Sequence, residues 1–524
     1  MLMAVFHFYW RVIVMKPAKC MDRMWSRVLW ILALIPVVAG LAAAELMAQV
    51  VLPVRDGYVA NRAPYLYAAA DFGIDPLEVT FAKDIVPILQ RSCQDCHSPG
   101  GGAPMSLITY EEVRAWAPLI KQRTAIRDRI DAMPPWYIEK NIGVQKFKND
   151  PSLSDEELAK IQAWADNGTP EGDAADMPPP REFGVAGTWE LGEPDLVIRS
   201  KDMTMPAVGA DWWGNIGLVP TGLTQDRYIS SVEVREFNDV PQDGDNETVG
   251  GLYLWHHMTY GAGVLNEDGT AIDPETRVGL PIHEVGRNAD VMYSEAGILL
   301  AANSALDLRA AHLHPNGRET TAHLEFGFKF FPVGYEPTYR RGGSTGPANQ
   351  VDVNSAPGQG GQEFHTYTVL RNHLKMVTFE PHMHAPGIRQ CLEAIWGGSV
   401  FTINCVGYDH NWVKQYVYDE DYAPLLPKGT IIHLVGWLDM SVANHNVADI
   451  RNWAGSGRRS VANMFNDLGS TVQLTEEQFQ DEMAKRRALM KDRNDMDVGC
   501  PLCWAPVEVD MEKIMMEAEQ AGTQ

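Results

Sequence analysis

The chain has 524 residues, which is too long for one ordinary domain and predicts two to four. Its formal net charge of −24 at pH 7 disfavours nucleic acid as a partner, because the phosphates would be repelled. The seven cysteines fit an oxidising compartment, and the charge suits an exported protein or one that docks a basic redox partner.

The N-terminal segment has the features of a secretory signal. Arg23 and Arg27 precede an apolar run at positions 28–41, and small residues follow at 42–44. This order predicts that residues 1–48 are a signal peptide or an N-terminal anchor, and that the protein is periplasmic or otherwise exported. The anchor remains an alternative, with membrane association as its consequence, because the run is near the short limit for crossing a bilayer.

Residues 79–170 are predicted to form a small all-α domain that carries a haem. A short amphipathic helix, 81–92, leads into the sequence C-Q-D-C-H, with Cys93, Cys96 and His97 as its reactive positions. C-x-x-C-H is the attachment signature of c-type haem, in which two thioethers hold the porphyrin and the histidine is an axial ligand. The alternatives are a zinc site and a thioredoxin-like redox pair. The sequence lacks a second Cys/His pair at finger spacing for zinc, and no βαβ pattern surrounds the motif as a thioredoxin-like pair requires.

The sixth iron ligand is predicted to be Met133, because the two prolines that follow it stiffen its loop. Met105 is the alternative. A closing helix is predicted from Leu158 to Trp164, preceded by Ser154 as its cap and by carboxylates in the first turn. Haem motif, Met-Pro loop and closing helix in this order resemble a class I cytochrome c.

The rest of the chain is predicted to be mainly β. Residues 171–187 are acidic and Pro-rich and form a stiff linker. Short alternating segments separated by turns then predict two antiparallel sandwich domains, 188–340 and 363–472. A Gly- and Ser-rich stretch, 341–361, separates them.

The first of these domains contains candidate metal ligands. His256 and His257 are adjacent on a strand-like segment, so both bind one metal only if the strand twists or bulges there. The alternative is one buried and one exposed histidine. His312 and His314 share a strand face before a Pro-Asn-Gly turn, and either completes a three-histidine site, with His323 as a more distant option. Three imidazoles suit copper or zinc.

The second domain contains a His-x-His pair. His382 and His384 project from the same face of a strand and can offer two imidazoles to one ion. Met464 is a candidate third ligand only in the company of this pair, because a buried methionine usually fills space in a core.

A disulfide is predicted between Cys391 and Cys405. Counting back from a Gly-Gly-Ser turn pairs Trp396 with Val400, and then places Cys391 directly opposite Cys405. Two buried free thiols are the alternative, which export disfavours.

The C-terminal region, 473–524, is predicted to hold a helix at about 475–493 and a Cys-x-x-Cys tail. Cys500 and Cys503 are predicted to form a small disulfide loop. A redox pair and a metal clip are the alternatives.

The order of these residues resembles the copper type II monooxygenases, the family of peptidylglycine α-hydroxylating and dopamine β-monooxygenases. More closely, it resembles bacterial members with a c-type cytochrome domain in front, over residues 79–503. The resemblance implies two jelly-roll-like β-sandwiches with a solvent cleft between two copper ions, one held by three histidines and one by two histidines and a methionine. Carried over, these ligands are His256, His257 and His312 for the first copper, and His382, His384 and Met464 for the second.

The implied activity is hydroxylation of a C–H bond of a small organic substrate with O2, with His382, His384 and Met464 as the catalytic ligands. Thioether sulfur favours Cu(I), whereas an all-imidazole site passes single electrons. The fused haem is the predicted electron inlet, supplied by a periplasmic redox protein or a small reductant.

Two positions depart from the family pattern. Glu380 replaces an arginine that holds a substrate carboxylate in peptidylglycine enzymes, and Leu468 replaces a tyrosine. A peptide carboxylate is therefore a poor substrate, and a less polar or cationic molecule is favoured. Trp212, Trp213 and Trp437 are candidates to line its pocket, unless they belong to the core.

Two other classes of function remain. One is a non-catalytic electron-transfer or copper-binding subunit of a membrane-associated complex, which would show haem reduction without O2 consumption. The other is a sugar-binding or structural β-sandwich with incidental histidines, which would hold iron but no stoichiometric copper.

Overall fold

The computed structural model describes residues 64–98, 103, 105–182, 189–241, 252–284, 289–345, 348–349, 353–457 and 459–493. All of them fall in one compact unit. The predicted signal or anchor at 1–48 and the predicted Cys500–Cys503 bond lie outside these ranges. Within them, no helix is both long enough and apolar enough to cross a membrane.

The first part of the described chain is helical. Its elements are α1 (Val86–Ser92), α2 (Tyr110–Thr124), α3 (Asp155–Asp166), a π-helical turn (Phe81–Ile85) and 3₁₀ turns at Ala69–Phe72, Pro76–Glu78 and Ala174–Asp176. The π turn runs into α1, which confirms the predicted helix at 81–92. Ser154 caps α3 reciprocally with Glu157, as its sequence predicted. The helix α2 was not predicted, although Thr109 and Glu112 form the same type of capping box.

Residues 79–170 contribute to two different apolar cores. Side chains of α1, α2 and α3, with Trp164 among them, pack around one core that Cys93 and Met105 border. Trp136 and Ile138 belong instead to the core of the second β region. There Ile138 bridges to Val406 in antiparallel fashion.

The first β region is a sandwich of two antiparallel sheets. Its described strands are β1 (Leu196–Arg199), β2 (Met203–Met205), β3 (Trp212–Gly214), β4 (Gly217–Pro220), β5 (Arg227–Asn238), β6 (Trp255–Val264), β7 (Val278–Gly279), β8 (His283–Glu284), β9 (Ala289–Val291), β10 (Ile298–Leu300), β11 (Ser304–Leu313) and β12 (Thr320–Phe330). One sheet has the order β1-β12-β5-β10, with β2 on β12 and β9 on β5; the other has the order β3-β11-β6-β7, with β4 on β11 and β8 on β6. Inward side chains of both sheets, such as Phe326 and Met258, share one core.

The second β region also consists of antiparallel sheets around an apolar core. Its described strands are β13 (Arg340–Gly342), β14 (Ala348–Asn349), β15 (Gln362–Val369), β16 (His373–Met376), β17 (Thr378–Phe379), β18 (Pro381–Met383), β19 (Gly387–Trp396), β20 (Ser399–Gly407), β21 (Tyr416–Val417), β22 (Leu425–Leu426), β23 (Ile431–Leu438), β24 (Phe465–Asp467) and β25 (Thr471–Leu474). The sheets have the orders β13-β25-β16-β22, β14-β24-β18, β15-β23-β19-β20 and β17-β21.

A C-terminal helix, α4 (Glu476–Arg493), packs against this region. Thr475 caps it, accepting a hydrogen bond from the Gln478 amide. Lys375 donates to Glu482 over 3.1 Å in a buried ion pair that joins β16 to α4. The predicted helix at 475–493 is confirmed, and the described chain is mainly β with few helices.

The Cys391–Cys405 disulfide is present, but the predicted hairpin register is wrong next to the turn. Trp396 lies opposite Ser399 rather than Val400. The register shifts between the pairs Leu392–Asn404 and Glu393–Thr402, so Ile403 of β20 is an extra, bulged residue. This bulge restores the predicted pairing at the cysteines. Turn counting missed this bulge because it carries no sequence signal of its own.

We expect the double substitution of Cys391 and Cys405 by serine to lower the free energy of unfolding by about 3 kcal/mol, because the cross-link closes a short loop in the unfolded chain. Chemical denaturation under non-reducing conditions measures this. Added reductant should destabilise the unaltered protein and leave the variant unchanged, whereas equal effects on both would contradict the assignment.

Candidate metal centre

A bulge in β6 brings two adjacent histidines to the same neighbour. His257 lies opposite His312 on β11, but the next pair along is Trp255 with Leu313, so His256 is the extra residue. The ring centroid of His312 is 4.9 Å from that of His256 and 5.0 Å from that of His257. The bulge that a shared metal site requires is therefore present.

A buried carboxylate holds the chain just before this bulge. Glu236, on the opposite sheet, accepts hydrogen bonds from the backbone amides of Leu254 and Trp255 over 2.9–3.1 Å. Burial raises the pKa of Glu236 to about 7. Its contacts fix the path by which the strand enters the bulge at His256.

His314 joins the first histidine group at the end of β11. Its Nε2 lies 3.0 Å from Nε2 of His312, and the Asp211 carboxylate lies 3.2 Å from His312 and 3.5 Å from His314. One donor atom from each of His256, His312 and His314 lies within 4.8 Å of the others, close enough to hold a metal ion. This triad contains the alternative ligand His314 in the place predicted for His257.

His323 is not part of this group. It lies on β12, in the other sheet, where its ring stacks on Phe237 at 5.5 Å. Its Nδ1 is 3.2 Å from the Arg199 guanidinium. His323, the more distant option for a third ligand, therefore does not lie beside the other three histidines.

The second histidine group lies on β18 and just after it. The ring centroids of His382 and His384 are 5.6 Å apart, and His382 Nδ1 lies 2.9 Å from the Glu284 carboxylate. On β24, Asn466 lies opposite His382 and Phe465 opposite Met383. The pairing ends at Met383 and Phe465. Met464 directly precedes β24 and is not among the residues that line the cavity described next.

Members of both histidine groups, though not His314, line one small cavity of ≈ 10 Å³. Its lining residues are Trp213, His256, His257, Glu284, His312, His382, His384, Tyr408, His410, Val413 and Ser460. This cavity is not the solvent cleft that the family resemblance implies between the two groups. His410, a single histidine between β20 and β21, was missed, because no motif surrounds it in the sequence.

Burial lowers the pKa of His314 and of most histidines that line the cavity. It lowers the pKa of His314 to about 4 and that of His384 to about 3. It also lowers the pKa of His256, His257 and His410 well below the usual value, with neighbouring imidazoles as the second cause. At pH 7 these five rings therefore each keep a lone pair for a metal, and imidazole with thioether donors suits copper.

Of the three candidate tryptophans, Trp213 lines the metal cavity. Its ring stacks on His312 at 4.0 Å and meets His257 edge-on at 4.7 Å. Trp437 is buried under the Arg389 guanidinium, and Trp212 packs against the first sandwich core. These last two belong to the core.

An open cleft of ≈ 240 Å³ runs beside the metal cavity. Three segments of the chain line both spaces. Ile282, Glu380 and Gln415 line the cleft. Glu284, His382 and Val413, each two residues away from one of these, line the cavity. Glu380 accepts a hydrogen bond from Gln415 over 3.0 Å. Leu468 also lines the cleft, so both departures from the family pattern lie here.

The C-x-x-C-H motif directly follows α1. Cys93 and Cys96 are free thiols, and His97 is buried. His97 Nδ1 lies 3.0 Å from the backbone carbonyl of Met105, which leaves Nε2 for another ligand. Met133 is 40% exposed and lines a separate small cavity.

The motif also lies near the loop that carries His410. Lys414, in this loop, is within electrostatic range of Cys96 and Glu190. Burial lowers the pKa of Lys414, and these two groups oppose that effect. Residues 409–415 thus extend from the metal cavity to the C-x-x-C-H motif.

Neither the protein-family models nor the curated proteins contain a match to this chain. Among solved structures, the chain is similar to one from the T13 IBDV viral particle, at 10% identity and a TM-score of 0.14, over 58% of this chain and 85% of that one. A score this low supports no conclusion about fold or function.

We expect His312→Ala to abolish binding of the first metal ion, because His312 Nε2 lies 3.0 Å from His314 Nε2 and its ring lies 4.9 Å from that of His256. His323→Ala is the matched control on the opposite sheet and should bind metal as the unaltered protein does. Calorimetric titration of the purified, metal-free proteins with Cu²⁺ measures both. Unchanged stoichiometry in His312→Ala would exclude this triad as a metal site.

Proposed function

We propose that the protein is an exported copper-dependent monooxygenase that hydroxylates a C–H bond of a small organic substrate, with electrons entering through a fused c-type haem. The supporting observation is that histidines from four separate segments of the chain line one cavity. Incidental surface histidines would not converge in this way. The two β regions correspond in this proposal to jelly-roll-like domains, and the helices of residues 79–170 to a cytochrome c.

The proposed first copper site is His256, His312 and His314, with the Asp211 carboxylate beside Nε2 of His312 and of His314. His382, His384 and Met464 form the proposed second site, where Glu284 orients His382. Bound copper would supply single-electron storage and activation of O2. The ring of Trp213 covers the first site and excludes water from His312.

The proposed substrate site is the cleft beside the metal cavity. Its wall includes apolar side chains, among them Leu280, Met292 and Leu468. Glu380 adds a buried carboxylate two residues before His382. Such a lining favours a largely apolar substrate, and a cationic group on it would be attracted to Glu380.

The residues around the C-x-x-C-H motif fit a covalent haem. Thioethers from Cys93 and Cys96 would hold the porphyrin, and bound haem would supply single electrons. The Met105 carbonyl accepts from His97 Nδ1 and so fixes the tautomer that leaves Nε2 for iron. Met105 therefore lies on the His97 side, which favours Met133 as the ligand on the opposite face.

The small volume between the two histidine groups favours one alternative function. A cavity of ≈ 10 Å³ is too small to admit an organic substrate between the two proposed metal ions. An electron-transfer subunit needs no substrate there, so the small volume agrees with that function. O2 consumption decides between the two functions, because only the monooxygenase consumes O2 in proportion to added substrate.

We expect the unaltered protein to contain two coppers and one covalent haem and to form hydroxylated product only with O2. Met464→Ile should abolish turnover and preserve the fold, because isoleucine fills the volume but has no thioether for Cu(I). Met177→Ile, in the linker, is the control and should retain activity. Full activity in Met464→Ile would refute the assignment of the second site.

We expect Met133→Ala to remove the thioether-to-iron absorption band of the oxidised haem and to lower its reduction potential, because a thioether ligand raises the potential. Met105→Ala should keep the band, since its backbone carbonyl is retained. Visible spectra and redox titration of the full chain report both. Loss of the band in Met105→Ala alone would reverse the ligand assignment.

A further inference from the structure

His410 has no role in the sites described so far, although it lines the cavity that both histidine groups share. Its side chain is buried, and among the described residues neither of its ring nitrogens has a hydrogen-bond partner. Buried polar atoms are nearly always paired, so two such atoms on one ring require an explanation. A metal-binding imidazole usually binds through one nitrogen and donates from the other; His410 has no acceptor for that donation.

The position of His410 relates it to both histidine groups. Its ring centroid is 4.7 Å from that of His256 and 6.3 Å from that of His384. Two imidazoles that share one metal, each with a metal–nitrogen bond of about 2 Å, have centroids roughly 4.5–6.5 Å apart. His410 meets this spacing toward His256 on one side and toward His384 on the other.

We propose that His410 is a metal ligand that bridges the two histidine groups, with one ring nitrogen on the metal bound by His256 and the other on the metal bound by His384. The neutral ring carries one N–H, so the second ion displaces that proton to solvent and leaves an imidazolate with one lone pair for each ion. Both orphan nitrogens are then satisfied. A bridging imidazole places the two ions about 6 Å apart, as one dinuclear centre. The inference rests on the proposed function only in that both groups hold copper.

The test is electron paramagnetic resonance of the full chain loaded with two equivalents of Cu²⁺, with copper content measured in parallel. We expect the unaltered protein to show far fewer unpaired copper spins than copper ions, because the bridge couples the two spins. His410→Ala should retain most of its copper, and its spin count should rise at least twofold toward the copper content. Free imidazole added to this variant should lower the count again by occupying the vacated space.

His445→Ala is the matched control, because His445 lies outside the cavity and its side chain is 53% exposed. It should give the spin count of the unaltered protein. Thermal unfolding of the metal-free proteins distinguishes a lost ligand from a lost fold, and His410→Asn provides a second variant if alanine destabilises the loop.

Two outcomes overturn the inference. One is a spin count equal to the copper content in the unaltered protein; the other is an unchanged count in both His410 variants. If the protein still binds two coppers and hydroxylates its substrate, the proposed function survives either result. If the unaltered protein binds no copper, the proposed function fails as well.

Discussion

The candidate site depends on one irregularity, the extra residue in β6 opposite β11. Regular pairing would turn His256 away from His312, because neighbouring strand residues point to opposite faces. The bulge brings both His256 and His257 beside His312, and the Glu236 carboxylate fixes the amides that lead into it. The second β region then contributes β18 and the loop with His410, so that imidazoles from both β regions line a single cavity.

Burial and the close packing of imidazoles act together in this cavity. Several imidazoles packed within 4–6 Å of one another cannot all be protonated, and desolvation further favours their neutral form. The cluster is therefore held ready for a cation, and the orphan nitrogens of His410 remain a cost unless a ligand meets them. The adjacent cleft is a separate space from this cavity, although the same three segments of chain line both.

The sequence predicted the features that have a local pattern. The His-x-His pair, the helix cap at Ser154 and the Cys391–Cys405 bond follow from spacing or from a capping residue. His410 could not be found in this way, because its role depends on where a loop lies in three dimensions. The register at Trp396 failed for a related reason: a bulge in the partner strand depends on packing rather than on the residues at the turn.

The packing of residues 132–147 has a consequence for how the chain is built. Trp136 and Ile138 lie between two parts of the helical region in sequence, yet they complete the core of the second sandwich. The helical region is therefore not a detachable module: cutting the chain at the Pro-rich linker would remove these side chains and leave that sandwich with an open flank. The helical region and the second sandwich therefore have to fold together.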